Sequence, residues 1–358
     1  MDNNKICERK KMMKISIIVC AYNGEVDMPF CLASLVGQQG ISPDEYEVLI
    51  LDDGSTDQTG EVTKKFILEQ AGKEILFRYI RIEHQGLSIG RNTGLFFAKA
   101  PIVAYMDQDA VADPYWVSQL ATAWTTHPDA DAIGGKINVR NEESWVGRFL
   151  HEVYYEPTSR SGLIGTNMSF RKARLLEVGA FGDPFVSRGD DTFVARKMGM
   201  DRREIIWPGA VVSHAWPTSL KKWLKERVCN GQLARMIAMI LETKESPCRK
   251  FLARRAIALL SVVVVALLFS RSIGWVVLGL AGLVFLEVVR KGNYKRLRRS
   301  FSYGKALGLS LMWLLLKELG MWNFCRGWFR SSQLTFSKEA SMHGTVSDRY
   351  VVETFSNL

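Results

Sequence analysis

The chain has 358 residues, 47% of them apolar and 23% charged, which excludes a disordered polymer and allows two average domains or one large α/β domain with an appendage. Six cysteines form no C-x-x-C pair and have no regular spacing, which argues against a disulfide scaffold or a zinc ribbon and leaves reduced thiols as the default. The net charge is +10, and the excess sits in one segment: residues 246–330 hold 15 Lys/Arg against 2 Asp/Glu, while residues 1–245 hold 30 against 32. Dispersed basicity would suggest nucleic acid, whereas basic blocks beside apolar runs suggest a membrane instead.

In chain order, the basic stretch 1–13 precedes ISIIVCAY, an apolar run from Ile15 to Tyr22. A signal peptide would need a longer run and a small-residue cleavage pattern, and Asn23-Gly24-Glu25 follows instead. A short β-branched run ended by turn residues is better read as a buried parallel strand. The pattern recurs: EVLILDDGS, a helical Thr59 to Ala71, FRYIRIEH, a helical Ser88 to Ala100, IVAYMDQD, a helical Pro114 to Thr126, and DAIGGKINV. Strand and helix alternating at this spacing predict a mostly parallel, Rossmann-like sheet covered on both faces. Ligands of such sheets bind at the carboxyl ends of the strands, which here end in Tyr22-Asn23, Asp52-Asp53 and Asp107-Gln108-Asp109.

Residues 145–245 are less periodic, with a helical reading for Lys221 to Glu242. The segment 246–330 contains two uncharged runs, Ala256 to Ser270 and Ser272 to Leu286, separated by Arg271. One straight helix over both is too long for a bilayer core of ~30 Å at ~1.5 Å per residue, so two short spans forming a hairpin are expected. Basic residues on both flanks, Arg249 to Arg255 and Arg290 to Arg299, put both ends on the cytoplasmic side. A third apolar stretch, Ala306 to Leu316, either spans or lies at the interface with Trp313, Trp322 and Trp328; the alternative is a buried core hairpin of a soluble protein. Cys248 and Cys325 lie near that interface as acylation candidates, with a buried thiol as the alternative. Residues 331–358 form a polar tail.

The chemistry concentrates in a few clusters. Asp107 and Asp109 form a D-x-D at a strand end, where alternation puts both carboxylates on one side. Two carboxylates that close repel unless a hard divalent cation, Mg or Mn, sits with them, and such a cation is suited to bridging a diphosphate. Ser55 and Asp57 in DDGSTD read as helix caps, while Asp53 at the sheet edge can accept from a base N–H or a ribose hydroxyl. In GLSIGRNTG, Ser88 reads as a helix cap and Arg91 as a base or phosphate ligand, with an ordinary surface arginine as the alternative. No P-loop and no G-x-G-x-x-G after the first strand is present, which argues against a kinase-type ATPase and a dinucleotide dehydrogenase.

Six motifs in order, SIIVCAYN, VLILDDGSTD, GLSIGRNTG, AYMDQDAVADPYW, GTNMSFRK and RGDDTFVARK, resemble the inverting glycosyltransferases of family 2 from about Lys14 to Met236. The resemblance implies an α/β fold of the GT-A type over 14–245, with a nucleotide-sugar half (14–140) and an acceptor half (141–245), followed by transmembrane helices. It implies that Ala21, Tyr22, Asp53 and Arg91 hold the nucleotide, that Asp107 serves ribose and metal, and that Asp109 is the main metal ligand. A histidine near the position of His214 completes the metal site in some relatives of the fold; the alternative is a partly buried histidine. The family's Glu-Asp pair, whose Asp is the general base, matches Asp190 and Asp191, with Asp190 departing from the usual Glu. The implied reaction inverts the sugar as Asp191 deprotonates an acceptor hydroxyl, the donor being a nucleotide-diphosphate sugar and the acceptor a glycan or lipid-linked glycan. The expected place is the inner membrane, catalytic domain toward the cytoplasm, with no nucleic-acid partner. The rivals are a sugar nucleotidyltransferase, which would carry a glycine-rich basic loop where CAYNGEVD stands, and an inactive membrane scaffold that keeps the fold.

Overall fold

A computed structural model describes residues 13–70, 72, 74–154, 163–182, 189–198, 204–227, 230, 247–268, 297, 302–330 and 353–356. The chain divides into two compact units. The first comprises Met1–Arg140, Pro157–Ala215 and Ser337–Leu358; the second comprises Asn141–Glu156 and Trp216–Phe336. Both units are therefore discontinuous in sequence.

The first unit holds a nine-stranded sheet in the order β5-β8-β6-β7-β4-β1-β2-β3-β9. Four strands form its parallel block: β1 (Ile15–Ala21), β2 (Tyr46–Asp53), β3 (Leu76–Ile82) and β4 (Ile102–Asp107). These are the four apolar runs of the sequence. All eight residues of β2 are buried, as a strand covered on both faces requires. Each such buried Ile, Leu or Val contributes roughly 1.5–3 kcal/mol over its exposed state.

Helices α1 (Met28–Val36), α2 (Thr59–Glu69), α3 (Leu87–Phe97) and α4 (Trp116–Thr126) cover the sheet, α3 on β1 and β2, α2 on β3. Glycine 86 precedes α3 with φ 98°, so Ser88 lies inside the first turn rather than capping it. Asp57 does not cap α2 either: Gln58 holds the N-cap position, and Asp57 Oδ1 accepts from the Thr59 N–H at 3.0 Å in an Asx turn that leads into the helix.

Beyond β4 the sheet changes character. Strand β7 (Met168–Arg171) is antiparallel to both β4 and β6 (Ala132–Val139). Strand β8 (Glu204–His214) runs parallel to β6, β5 (Ala110–Ala112) runs antiparallel to β8, and β9 (Glu353–Ser356) caps the far edge antiparallel to β3. Among the described residues, half of the eight strand pairings are thus antiparallel, and the parallel expectation holds for the nucleotide half. The region that reads as aperiodic also supplies α6 (Lys172–Glu177) and α7 (Asp190–Lys197).

The second unit is helical among its described residues. Helix α5 (Trp145–Tyr154) presents Val146, Phe149, Leu150 and Val153 to a core shared with Trp223, Ala306, Trp313 and Leu316. The third apolar stretch, Ala306 to Leu316, therefore lies within the packed helix Tyr303–Arg330. The opposite face of that helix exposes Leu311, Leu315, Leu319, Trp322 and Phe329. The helical reading of Lys221 to Glu242 is met at 220–227, and 231–246 lie outside the described residues. Cys248 and Cys325 are buried together with Trp328, which places both thiols away from an acylating surface.

The described residues do not support the expected membrane hairpin. Helix Pro247–Leu268 runs unbroken from the basic residues into the first uncharged run, while Ser272 to Leu286 lies outside the described residues. Among the described residues no helix is long and apolar enough to cross a membrane.

Candidate active site

The site lies at the carboxyl edge of the parallel block. Strand registry sets Cys20 beside Asp107 and Ala21 beside Asp52, so β1, β2 and β4 end together. Strand β4 stops at Asp107 and β5 starts at Ala110, which puts Gln108 and Asp109 in a turn. The two acids of the D-x-D therefore converge across a bend, not by strand alternation. What brings them to a common point is His214, paired with Ala110 across β5 and β8. Its Nε2 lies 3.0 Å from Asp109 Oδ1 and 3.8 Å from Asp107 Oδ2.

Asp107, Asp109 and His214 each offer a ligand atom within 4.8 Å of the others. Two carboxylates and an imidazole are a donor set suited to Mg2+ or, with the nitrogen, Mn2+. Burial would lower the His214 pKa, but the bond to Asp109 and the charges of Asp109 and Asp107 outweigh it, so it lies above the usual value. Burial would raise Asp109, and the same histidine holds it low instead. Both shifts favour the charge-paired form of His214 and Asp109, and a metal held there would compete with the histidine's proton.

The nucleotide-side residues separate. Tyr22 is 42% exposed and stacks on His84, ring centroids 4.1 Å apart. Ala21 is buried inside the sheet. Asp53 is also buried, and its oxygens accept from the backbone N–H groups of Gln85 and Gly86, both at 2.8 Å, with His84 Nδ1 at 2.9 Å. Burial still leaves its pKa raised despite these donors. In this structure Asp53 shapes the loop that carries His84.

Arg91 differs most from its expected place. It is 3% exposed, and its guanidinium reaches Asp190 Oδ2 at 2.6 Å and Asp107 Oδ1 at 3.3 Å, over the rings of Tyr105 and Phe181. Burial works against its charge, but Asp190 and Asp107 hold the proton firmly.

Asp190 and Asp191 open α7, where carboxylates complement the helix dipole. Gly189 precedes them at φ 91°, a left-handed conformation that strains other residues. Asp190 points inward to Arg91 and is buried. Asp191 is half-buried and accepts from the Gly165 N–H at 3.0 Å. Of the two acids, Asp191 is the one a substrate can reach.

Besides His84, three contributors carry no role in the sequence reading. Thr166 Oγ1 donates to Asp107 Oδ2, Gly165 N–H to Asp191, and Gln108 bonds the Tyr22 backbone in both directions, at 2.9 and 3.1 Å. The only sequence signal for the first two is their place in GTNMSFRK; Gln108 is the middle of the D-x-D.

Residues 16–184 match the family model for glycosyl transferase family 2. The chain is 27% identical over 195 residues to a glucosyl-dolichyl phosphate glucuronosyltransferase of Haloferax volcanii, covering 50% of this chain and 59% of that protein. It is 28% identical over 182 residues to glycosyltransferase AglE of the same organism, covering 49% and 58%. The chain thus spans less than two thirds of the length of these curated relatives. Among solved structures, the mannosyltransferase PcManGT of Pyrobaculum calidifontis, in complex with GDP-Man and Mn2+, superposes with a TM-score of 0.53 at 19% identity, covering 86% of this chain and 88% of that one. That likeness establishes a GT-A-like α/β fold. Asp190, Asp191 and His214 lie beyond the family match, so their place in the site rests on geometry.

Proposed function

We propose that this glycosyltransferase moves a sugar from a nucleoside-diphosphate sugar to a hydroxyl of a glycan or lipid-linked acceptor, with inversion at the anomeric carbon. The observation that carries this reading is the convergence of Asp107, Asp109 and His214 at the carboxyl edge of the sheet, with Asp191 held beside them by the 165–166 turn. A divalent cation bound there would offset the charge of the departing diphosphate. Asp109 and His214 would hold it, with Asp107 shared between it, Arg91 and Thr166. The exposed Tyr22 ring on His84 offers the nucleotide base a stacking surface.

Asp191 accepts the acceptor hydroxyl proton as that oxygen attacks. Its orientation comes from the Gly165 N–H on one oxygen and the Thr192 N–H, 2.6 Å away, on the other. One base with no intervening nucleophile gives inversion.

A second reading concerns attachment: the second unit binds an anionic membrane surface. The exposed stripe from Leu311 to Phe329 and the net +13 of residues 246–330 support it. It also accords with a catalytic domain on the cytoplasmic side. Sedimentation with anionic vesicles tests it; full-length protein that stays in the supernatant excludes it.

The transfer is tested with UDP-glucose, UDP-GlcNAc, UDP-glucuronate and GDP-mannose, each with and without Mn2+, scored for binding and for release of nucleoside diphosphate. Asp191→Asn should keep donor binding and lower single-turnover rates by roughly two to four orders of magnitude. A fast Asp191→Asn variant places the base elsewhere.

A further inference from the structure

The metal-side acid and the acceptor-side acids sit on separate elements, β4 and α7, far apart in sequence. A closed ring of contacts joins them. Asp107 Oδ1 meets Arg91, Arg91 meets Asp190, and Asp190 is the chain neighbour of Asp191. Asp191 Oδ2 meets the Gly165 N–H, Gly165 is the chain neighbour of Thr166, and the Thr166 hydroxyl closes onto Asp107 Oδ2. Both oxygens of Asp107 are therefore tied to the acidic pair, each by a different arm.

The ring is built tightly. A Cβ on Gly165 would lie 2.5 Å from Arg91 Nη2, so that position admits no side chain without moving the guanidinium. Next to Arg91, the Asn92 side chain bonds the Phe181 backbone in both directions, at 2.8 and 3.0 Å, which fixes the ring that Arg91 lies over. A guanidinium is suited to bridging because it presents planar donors to two carboxylates at once; an ammonium on a flexible stem does not.

We propose that Arg91 and Thr166 are positioning residues that set the separation between the metal-side carboxylate and the base, and carry metal occupancy at Asp107 to the first turn of α7. Neither touches the reacting atoms. Their effect belongs on kcat, because a misplacement of about 1 Å at a reacting group costs on the order of 10²-fold while leaving binding largely intact. The proposal rests on the assignment of Asp191 as base only for its effect on turnover; the link from Asp107 to α7 stands apart from it.

The experiment uses the full chain and two readouts. The first is amide exchange of residues 189–198 with and without Mn2+ alone, in wild type, Arg91→Lys, Thr166→Val and Asp191→Asn. Mn2+ is expected to slow exchange in wild type and Asp191→Asn, and to have at most a third of that effect in Arg91→Lys and Thr166→Val while these still bind Mn2+ within about fivefold of wild type. The second is steady-state turnover with the most active donor of the four above. Arg91→Lys and Thr166→Val should each lose about 10- to 100-fold in kcat, with donor KM within about threefold. If Arg91→Lys does not fold, the near-isosteric Thr166→Val carries the test. Wild-type exchange indifferent to Mn2+, or folded variants with unchanged kcat, overturns the proposal. A fast Asp191→Asn beside the expected exchange results removes the base assignment and leaves the link from metal to α7 standing.

Discussion

Two acidic strand ends flank β1 in this sheet, one on β2 and one on β4, and meet different fates. At the end of β2, Asp52 and Asp53 are buried, and the protein's own donors consume their oxygens. Asp52 takes Ser55, Arg81 and the Tyr79 hydroxyl; Asp53 takes the loop 84–86. At the end of β4, the side chains of Asp107 and Asp109 are 31% and 33% exposed and face a histidine. The sequence writes both ends alike, as an apolar run closing in acids. What separates structural from functional acids is the supply of fixed donors within reach, which neighbouring strands and loops provide at β2 and largely withhold at Asp109.

The comparison breaks most sharply at Asp109. Asp109→Asn should lower metal-dependent turnover by roughly 10³-fold, since the divalent ion supplies several kcal/mol of charge stabilisation. Its melting temperature should stay within a few degrees of wild type. A large stability loss with activity kept would reverse the roles assigned to the two ends, and thermal melts beside rate assays decide it.

Asp52→Ala should do the opposite. It strands the buried Tyr79 hydroxyl and the Ser55 N–H, at about 3 kcal/mol of stability, while Mn2+ affinity of the folded fraction stays within about threefold. Denaturant unfolding and Mn2+ titration measure the two quantities.

A smaller effect follows pH. The raised pKa of His214 means that a proton competes with metal, because imidazole must be neutral to ligate. Mn2+ affinity should be full above that pKa and fall by about tenfold per pH unit below it. In His214→Gln, that dependence should flatten. Titrations between pH 5.5 and 8.5, a window that straddles the ordinary histidine range, check it.

The smallest expected effect is at Gln108. Gln108→Ala removes two hydrogen bonds that hold the Tyr22 backbone against the D-x-D turn, at about 1 kcal/mol for exposed neutral bonds. Donor KM should rise severalfold with kcat unchanged, and initial-rate kinetics over donor concentration test this.

The parallel block is legible in local sequence, because buried strands must be apolar and a strand has to end where turn residues and acids begin. Ile15–Ala21, Tyr46–Asp53, Leu76–Ile82 and Ile102–Asp107 are all legible in that way. The candidate acids Asp107, Asp109 and Asp191 are legible in the same way, since their motifs are local. The rest depends on contacts between segments distant in the chain. His214 reaches Asp109 through pairing of β8 with β5, a contact over a hundred residues apart that no local pattern encodes. Arg91 looks like a ligand for the donor because it follows a glycine turn at a helix start, yet Asp190, on a distant helix, draws its guanidinium inward. Apolar composition likewise made Ala306 to Leu316 resemble a membrane segment, whereas its buried face answers to α5 and Trp223. In each case the deciding energy is a charge or an apolar face satisfied by a partner far along the chain, and the sequence lists the partners without stating which of them meet.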